Sequence, residues 1–493
     1  MTSATVAAPP PAPSPPARRI GPLLARLARP EGLALLCLAL AAITLLGPTA
    51  PTYDPWAWIL WGREIVHLDL STVGGPSWKP LPVLFTIPFS LFGDDAAPVL
   101  WVWIARAGGL FAVALACRLA WRLAGSARWG LLAGAVAALA LLTSTGYLRA
   151  IVPGNSEGLL IAFGLWAVER HLDGRRGQAM VLATLVALLR PEAWPFVGLY
   201  GLWLLWRDPP VRKVVLICGA AVLALWFVPE LWGSGRLLRA AERANHPNPG
   251  SPAFADFPAL EVVKQWAQTL TWALLVLAGV AVGWALARRR AQRAVLVLAA
   301  GALAWLLLVA AMTQAGYSGN PRYLFAVTAV VCVLAGVGLA RVAQGAEHLT
   351  GRRWPPGVRV AVAAAALVAA AALLYQPRVI DRQLDGFRND AALTGDLAVA
   401  VRRAGRKRLV RCGQAFTGVY GVPALAYQLG VHTIRVGVNA RPPGVLVTAR
   451  GVARMPRVPR GFKPVATAGP WVVVMNCTPP PAPPPYYAGG RLG

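Results

Sequence analysis

Residues 51–70, PTYDPWAWILWGREIVHLDL, follow the first long apolar run and place Asp54 directly before Pro55 and two tryptophans. Asp just before a helix, with Pro at the first helical position, is a strong helix-start pattern. The pattern predicts a helix that Asp54 caps and that lies in the membrane interface. A carboxylate at the mouth of a membrane pocket also suits a catalytic base. These residues alone do not distinguish a helix cap from a catalytic base, so the rest of the chain has to decide.

The composition is that of a polytopic membrane protein. Of 493 residues, 57% are hydrophobic and only 14% are charged, whereas soluble domains carry about 25% charged residues. The net charge is +28, nearly all of the positive charge is carried by Arg, and Ala, Gly and Pro are abundant. This bias indicates a GC-rich genome, from which we expect an actinobacterial origin, and it does not indicate a nucleic-acid partner.

Apolar runs near the roughly 20 residues that a membrane span needs predict about eleven transmembrane helices. They are 31–48, 98–122, 129–147, 156–170, 178–190, 194–207, 212–232, 266–287, 293–313, 322–341 and 359–375. Basic residues concentrate in alternate connections, which places the N-terminus in the cytoplasm and the C-terminus outside. Residues 79–93 are apolar but contain three prolines, so we expect a re-entrant or interfacial segment. Residues 178–207 are expected to be two short spans that meet at Arg190–Glu192.

The chain divides into four parts. We expect a disordered cytoplasmic N-terminus (1–30), a transmembrane domain (31–375), an extracytoplasmic α/β domain (376–477) and a Pro-rich tail (478–493). In the α/β domain, 379–405 and 423–430 read as helices, and 408–413, 433–438, 445–449 and 471–477 as strands. Cys412 and Cys477 end two of these strands, so an oxidising compartment permits a disulfide if the strands are neighbours. The basic surface of this domain suits anionic headgroups or a wall polymer, or is simply solvated.

Ionisable residues gather at the outward ends of the predicted spans, which indicates a polar cavity at that membrane face. The candidates are Asp54, Lys79, Glu157, Arg190, Glu192, Arg236, Arg239, Arg243, His246, Arg322 and Tyr323. Each has a structural alternative: Lys79 as a snorkelling anchor, Glu157 as a helix-dipole partner, and Asp94 and Asp95 as caps. Arg236, Arg239 and Arg243 recur at helical spacing, so we expect them on one helix face, either as a lipid-surface helix or as a phosphate clamp.

Several short motifs together resemble the C-type glycosyltransferase (GT-C) superfamily of membrane enzymes. They are the first-loop Asp54, KPLP (79–82), SLFG (90–93), the acid at 157, LLRPEAW (188–194) and NPRYL (320–324). This superfamily includes protein O-mannosyltransferases, aminoarabinose transferases and actinobacterial arabinosyl- and mannosyltransferases. The resemblance implies a sugar donor linked to polyprenyl phosphate and a reaction on the outer face.

The resemblance also implies roles for individual residues. Asp54 matches the catalytic base, Lys79 a donor-phosphate contact, and Arg322 with Tyr323 an element near that phosphate. Glu157 stands in the place of a second acid, and we group Arg190 and Glu192 with it as acceptor contacts. A further expectation is that Arg236, Arg239, Arg243 and His246 contact lipid or phosphate. The sequence has KPLP where the family has a KPPL-like motif, and Glu where Asp is common. These departures leave open a divalent cation (Mg²⁺, Mn²⁺ or Ca²⁺) on Asp54 and Glu157.

We therefore expect an inverting glycosyltransferase that moves an arabinose- or mannose-like sugar from polyprenyl phosphate to a cell-envelope glycan, lipid or protein. The alternatives are a polyprenyl-lipid transporter or flippase and a non-catalytic wall-binding scaffold. A transporter would need ionisable residues deep in several spans, where the sequence has few. The sequence also lacks the Walker, H-E-x-x-H and C-x-x-C motifs.

Overall fold

The computed structural model describes residues 29–125, 129–289, 292–349, 355, 357 and 377–479. The predicted span at 359–375, nearly all of the predicted disordered N-terminus and the tail from residue 480 onward lie outside the described residues.

Helices occupy most of the region predicted to be transmembrane. They are α1 (Pro30–Thr44), α2 (Tyr53–Val66), α3 (Pro80–Ser90), α4 (Ala96–Ala124), α5 (Gly130–Thr143), α6 (Tyr147–Ile151), α7 (Glu157–Leu172), α8 (Arg176–Ala187), α9 (Trp194–Arg207), α10 (Arg212–Ser234), α11 (Arg239–Ala244), α12 (Pro258–Ala267), α13 (Trp272–Ala287), α14 (Arg293–Gln314) and α15 (Phe325–Leu349). Short 3₁₀ turns precede several of them.

The number of spans is not settled by these helices. Within the described residues, four helices are long and apolar enough to cross a membrane, or five if one bent pair counts as a span. Every predicted span that falls within the described residues coincides with a helix, but several of these helices are shorter than a full span. The chain is a multi-pass membrane protein, and the predicted count of eleven is not confirmed.

Two local predictions have a clear outcome. The predicted break in 178–207 is confirmed, because α8 ends at Ala187 and α9 begins at Trp194 after a 3₁₀ turn. The predicted span 266–287 is correct only in part, because α12 and α13 meet at 97°. The bend directs α12 away from the axis of α13.

Helix α2, which the sequence predicts to lie in the membrane interface, is enclosed by protein. Its tryptophans Trp58 and Trp61 are 1% and 0% exposed. The rings of Trp58 and Trp101, from α4, meet edge to face with centroids 5.4 Å apart. Thr86 of α3 donates a hydrogen bond of 2.7 Å to the Trp58 carbonyl. The tryptophans of α2 therefore pack in a protein core.

The C-terminal domain packs three helices around one mixed sheet. The helices are α16 (Pro377–Ala404), α17 (Arg406–Cys412) and α18 (Val422–Leu429), and the strands are β1 (Gln414–Phe416), β2 (Val436–Gly437), β3 (Gly444–Ala449), β4 (Lys463–Ala468) and β5 (Trp471–Asn476). The strand order is β2-β1-β3-β5-β4. Strand β1 is parallel to β2 and β3, whereas β5 is antiparallel to β3 and β4. The predicted α/β character is confirmed for these residues.

Two details of this domain differ from the sequence-based expectation. Residues 408–413 were expected to be a strand, but α17 continues to Cys412 and the strand begins only at Gln414. Strand β4 was missed, because its residues KPVATA lack a clear apolar alternation. The disulfide between Cys412 and Cys477 is nevertheless present, with Cα atoms 4.9 Å apart.

The C-terminal domain docks directly on α2 and shares a hydrophobic core with it. The rings of Tyr427 and Trp56 lie 5.2 Å apart. His432 bridges two first-loop carboxylates, with Nδ1 2.8 Å from Glu64 and Nε2 3.3 Å from Asp69. The helix that carries Asp54 is thus supported from both the membrane domain and the C-terminal domain.

Candidate active site

Asp54 lies inside the first turn of α2 and does not cap it. The helix begins at Tyr53, and Thr52 occupies the cap position without a capping side-chain hydrogen bond. Thr52 instead donates to Asn155 Oδ1 at 3.1 Å. The capping prediction was therefore wrong: the Asp54 carboxylate is drawn to a neighbouring guanidinium.

That guanidinium belongs to Arg322. Its Nη2 donates to Asp54 Oδ2 at 2.6 Å, and Lys79 Nζ lies 4.0 Å from the same oxygen. The Asp54 and Lys79 side chains are only 13% and 10% exposed. Lys79 also lies over the Trp58 ring, 5.1 Å from its centroid. Lys79 is thus held inside the protein, which excludes a snorkelling role.

A second set of charges continues from Arg322. Arg190 Nη2 donates to Glu157 Oε1 at 2.6 Å, and Arg322 Nε lies 3.8 Å from the same oxygen. Arg190 also lies 3.8 Å from Glu192, which accepts a hydrogen bond of 2.8 Å from the Tyr317 hydroxyl. The Arg190 guanidinium stacks over the Tyr323 ring at 4.3 Å.

Burial and neighbouring charges alter the proton affinity of this cluster. Burial alone would raise the pKa of Asp54, but Arg322 and then Lys79 hold that pKa below its usual value. Burial, followed by the charge of Arg190, lowers the pKa of Lys79 to about 7. Burial, and then Glu192, raise the pKa of Tyr317 well above its usual value. At neutral pH, Asp54 is therefore ionised while Lys79 is close to its midpoint.

Several buried polar atoms of the cluster have no hydrogen-bond partner among the described residues. They are Glu157 Oε2, Glu192 Oε2, Arg190 Nε and Arg322 Nε. An unsatisfied buried donor is costly, and such groups in a cavity wall are commonly satisfied by a ligand or water. The two guanidinium N–H groups, whose residues line a cavity, suit an anion, whereas the two carboxylate oxygens suit a hydrogen-bond donor.

Two cavities meet at Asp54. The first has a volume of about 370 Å³ and is walled by aromatic and aliphatic side chains. Among its lining residues are Trp78, Lys79, Arg190, Trp194, Trp226, Phe227, Leu237, Leu238 and His246. The second has about 450 Å³ and extends to the C-terminal domain at Val419 and Tyr420. Asp54, Arg322 and Tyr323 are among the residues that line both, so one carboxylate borders a mainly apolar cavity and a more polar one.

The arginines at 236, 239 and 243 do not all share one helix face. The helix α11 that contains two of them has only six residues. Arg236 lies outside it and pairs with Glu242 at the surface. Arg239 is buried and donates to the carbonyls of Pro76, Gly74 and Gly75 at 2.6, 2.9 and 3.1 Å. The prediction that all three share one helix face was wrong, because α11 begins only at Arg239 and leaves Arg236 outside it.

Only part of this group reaches the cavities. Arg243 lines both cavities and His246 lines the first. Arg239 instead fixes the loop that precedes Lys79, and Arg236 contacts neither cavity. Sequence reasoning missed Gln265, Asn248 and Tyr420 in the walls. No local pattern marks them, because they come from three segments far apart in the chain.

The donor set does not fit a divalent metal ion. No group of three or more His, Cys, Asp or Glu in the described ranges is arranged to hold one. Asp54 and Glu157 each contact a guanidinium already, and a dication at their oxygens would stand beside Lys79, Arg190 and Arg322. Like charges at this distance repel strongly in a buried site. The arrangement suits an anion better than a cation.

No protein-family model matches the chain, and no curated protein matches it. Solved structures do match it. One is ArnT from Cupriavidus metallidurans bound to undecaprenyl phosphate, with 16% sequence identity and a TM-score of 0.51. Another is the same ArnT in the apo state, with 16% identity and a TM-score of 0.50. Each likeness covers 90% of this chain and 98% of the ArnT chain.

The chain has the ArnT fold. The expected C-type glycosyltransferase fold is thereby confirmed as a fold. Residues 31–375 are too few to make up 90% of the 493 residues, so the likeness to ArnT extends into the C-terminal domain.

Proposed function

We propose that this protein is a membrane glycosyltransferase that moves a sugar from a polyprenyl-phosphate donor to an acceptor hydroxyl. The observation that carries the proposal is the position of Asp54, on the boundary of two cavities and beside Lys79 and Arg322. The ArnT fold supports it, since one matching ArnT structure is bound to undecaprenyl phosphate.

The first cavity has the chemistry for the donor. Its aromatic and aliphatic walls suit the first isoprene units of a polyprenyl chain, because burying apolar surface is favourable. Lys79 and Arg190 line the same cavity and suit the phosphate. When the bond from the sugar to phosphate breaks, negative charge grows on the phosphate oxygen. Prearranged cations stabilise that charge most in the transition state.

Asp54 is the base in this proposal. The acceptor oxygen forms a bond to the anomeric carbon, and the electron pair of the broken bond leaves with the phosphate. The acceptor proton passes to Asp54. One base on one side and a leaving phosphate on the other give a single displacement with inversion at the anomeric carbon.

The ion pair with Arg322 makes Asp54 a weak base in the resting protein, because it lowers the carboxyl pKa. A donor phosphate competes with Asp54 for the Arg322 guanidinium. When the phosphate weakens the Asp54–Arg322 ion pair, the proton affinity of Asp54 rises. The carboxylate is then ready to accept the proton of the acceptor hydroxyl. Donor binding therefore prepares the base.

Further features of the proposal concern sugar, acceptor and side. We infer an arabinose- or mannose-like sugar and a cell-envelope glycan, lipid or protein as acceptor. We also infer a cytoplasmic N-terminus and an extracytoplasmic C-terminal domain, which the distribution of basic loops favours. The reaction then takes place on the outer face.

The test is Asp54→Asn in purified protein reconstituted in nanodiscs. Undecaprenyl-phosphate arabinose and mannose serve as donors, and release of undecaprenyl phosphate is measured. We expect a loss of about 100- to 10,000-fold, the usual contribution of a general base. Asp95→Asn, an exposed acid before α4, is the matched control and should keep full activity. Full activity in Asp54→Asn would refute the base, and no release by the wild type from any polyprenyl-phosphate sugar would refute the function.

A further inference from the structure

The second cavity differs in chemistry from the first. Its charged lining residues, Asp54, Arg243 and Arg322, are shared with the first cavity, and the side chains that line it alone are uncharged. Asn155, Gln265 and Asn320 supply carboxamides, and the neighbouring loops supply hydroxyls and prolines. Lys79, Arg190 and His246, by contrast, line only the first cavity. Carboxamide and hydroxyl walls suit a neutral ligand with many hydroxyl groups, because amides both donate and accept hydrogen bonds.

The C-terminal domain contributes an aromatic wall to this cavity. Tyr420 lines it and remains 52% exposed. Its hydroxyl accepts a hydrogen bond of 2.7 Å from Arg454 Nη1, so the side chain is held in place from the domain's own side. An aromatic ring in a cavity that also carries amides is an arrangement that sugar rings favour. Their C–H faces lie on the ring, and their hydroxyl edges bond to the amides.

We propose that the second cavity binds the terminal sugar of a neutral glycan acceptor, with Tyr420 as its stacking platform. The proposal rests on the proposed function. In a single displacement the attacking hydroxyl approaches opposite the leaving phosphate. Of the cations assigned to the phosphate, Lys79 and Arg190 line only the first cavity and Arg322 lines both, so the phosphate is assigned to the first cavity and the acceptor comes from the second. Asp54 lies between the two and reaches the acceptor hydroxyl.

Residues from two distant parts of the chain thus form one site. The first loop supplies the base, and the C-terminal domain supplies the platform, 366 positions further on (420 against 54). The C-terminal domain is then part of the acceptor site and not only a wall-binding attachment.

The binding test uses methyl α-D-mannopyranoside and methyl α-arabinofuranoside as probes. Saturation-transfer NMR is recorded on the full-length protein in nanodiscs. We expect at least a fivefold loss of signal in Tyr420→Ala and in Gln265→Ala, with most of it kept in Tyr420→Phe. Val410→Ala, an exposed position on α17 outside both cavities, is the control. Equal signals in Tyr420→Ala and wild type would overturn the proposal.

A kinetic arm separates the acceptor sugar from the donor sugar. The same glycosides serve as acceptors, and hydrolysis of the donor by water is measured without them. We expect Tyr420→Ala to raise the acceptor KM at least tenfold and to leave donor hydrolysis unchanged. Equal losses in both reactions would show that the cavity holds the donor sugar, which overturns the proposal. Tyr420-dependent glycoside binding without any transfer by the wild type would refute the proposed function and leave the glycan site standing.

Discussion

Donor affinity should depend on pH through Lys79. Its pKa lies at about 7, against 10.5 for the free side chain, because burial and Arg190 disfavour its charge. A bound phosphate favours that charge and raises the pKa again. Protonated Lys79 therefore binds the donor, and the neutral form, which gains ground as pH rises through 7, binds it poorly.

The size of the effect follows from this shift. If the pKa returns near its usual value in the complex, the dissociation constant rises by about 90-fold between pH 6 and pH 9. This corresponds to nearly two factors of ten, at about 1.36 kcal/mol each. Asp54 stays ionised across the range because its pKa is lowered. Tyr317 stays neutral because its pKa is raised.

The assay is titration of nanodisc protein with a short polyprenyl methyl phosphate. This diester keeps one negative charge throughout the range, so the ligand does not titrate. His246 lines the same cavity, and it is replaced by Gln in every sample. Lys79→Arg is the control, since a guanidinium stays protonated and the profile should become flat. A change of less than threefold in the Lys79 protein, or an equal slope in Lys79→Arg, would refute the reasoning.

Three further outcomes test other parts of the structure. Replacing Cys412 and Cys477 together by Ser opens a loop with a sequence separation of 65 and should cost about 4 kcal/mol of unfolding free energy; an unchanged Tm would contradict this. Tyr317→Phe removes the hydroxyl that donates a hydrogen bond to buried Glu192, and this should lower the free energy of unfolding by roughly 1–3 kcal/mol. A lower Tm is the expected reading, and an unchanged Tm would contradict it. EDTA should leave the rate of sugar transfer unchanged within twofold, because arginines already pair with the carboxylates of Asp54 and Glu157. A loss of activity in EDTA that Mg²⁺ restores would contradict this.

The convergence of the charged cluster was predictable because helix ends share a membrane face. Lys79, Glu157, Arg190 and Arg322 all stand at the ends of apolar segments, and the structure brings them to Asp54. Hydropathy marks such ends well. Hydropathy does not show whether a short helix crosses the membrane, so it does not determine the number of spans.

The parts that failed depend on contacts which local sequence does not encode. Helical spacing predicted one face for Arg236, Arg239 and Arg243, but the helix begins only at Arg239, whose side chain is held by the carbonyls of the loop before Lys79. The residues around Asp54 match a helix-cap pattern, but its carboxylate binds Arg322, 268 positions away in the chain, and does not cap the helix. Tyr420 had no signal at all, because its role arises only when the C-terminal domain docks.

The bridge from His432 to Glu64 spans 368 positions of the chain. Helix α2 is made early in synthesis, but it cannot reach its final packing until the last quarter of the chain has been made and folded. An incomplete chain would hold the base without its outer support. Maturation of the site is thereby tied to completion of the whole polypeptide, and prematurely terminated products would lack the assembled site.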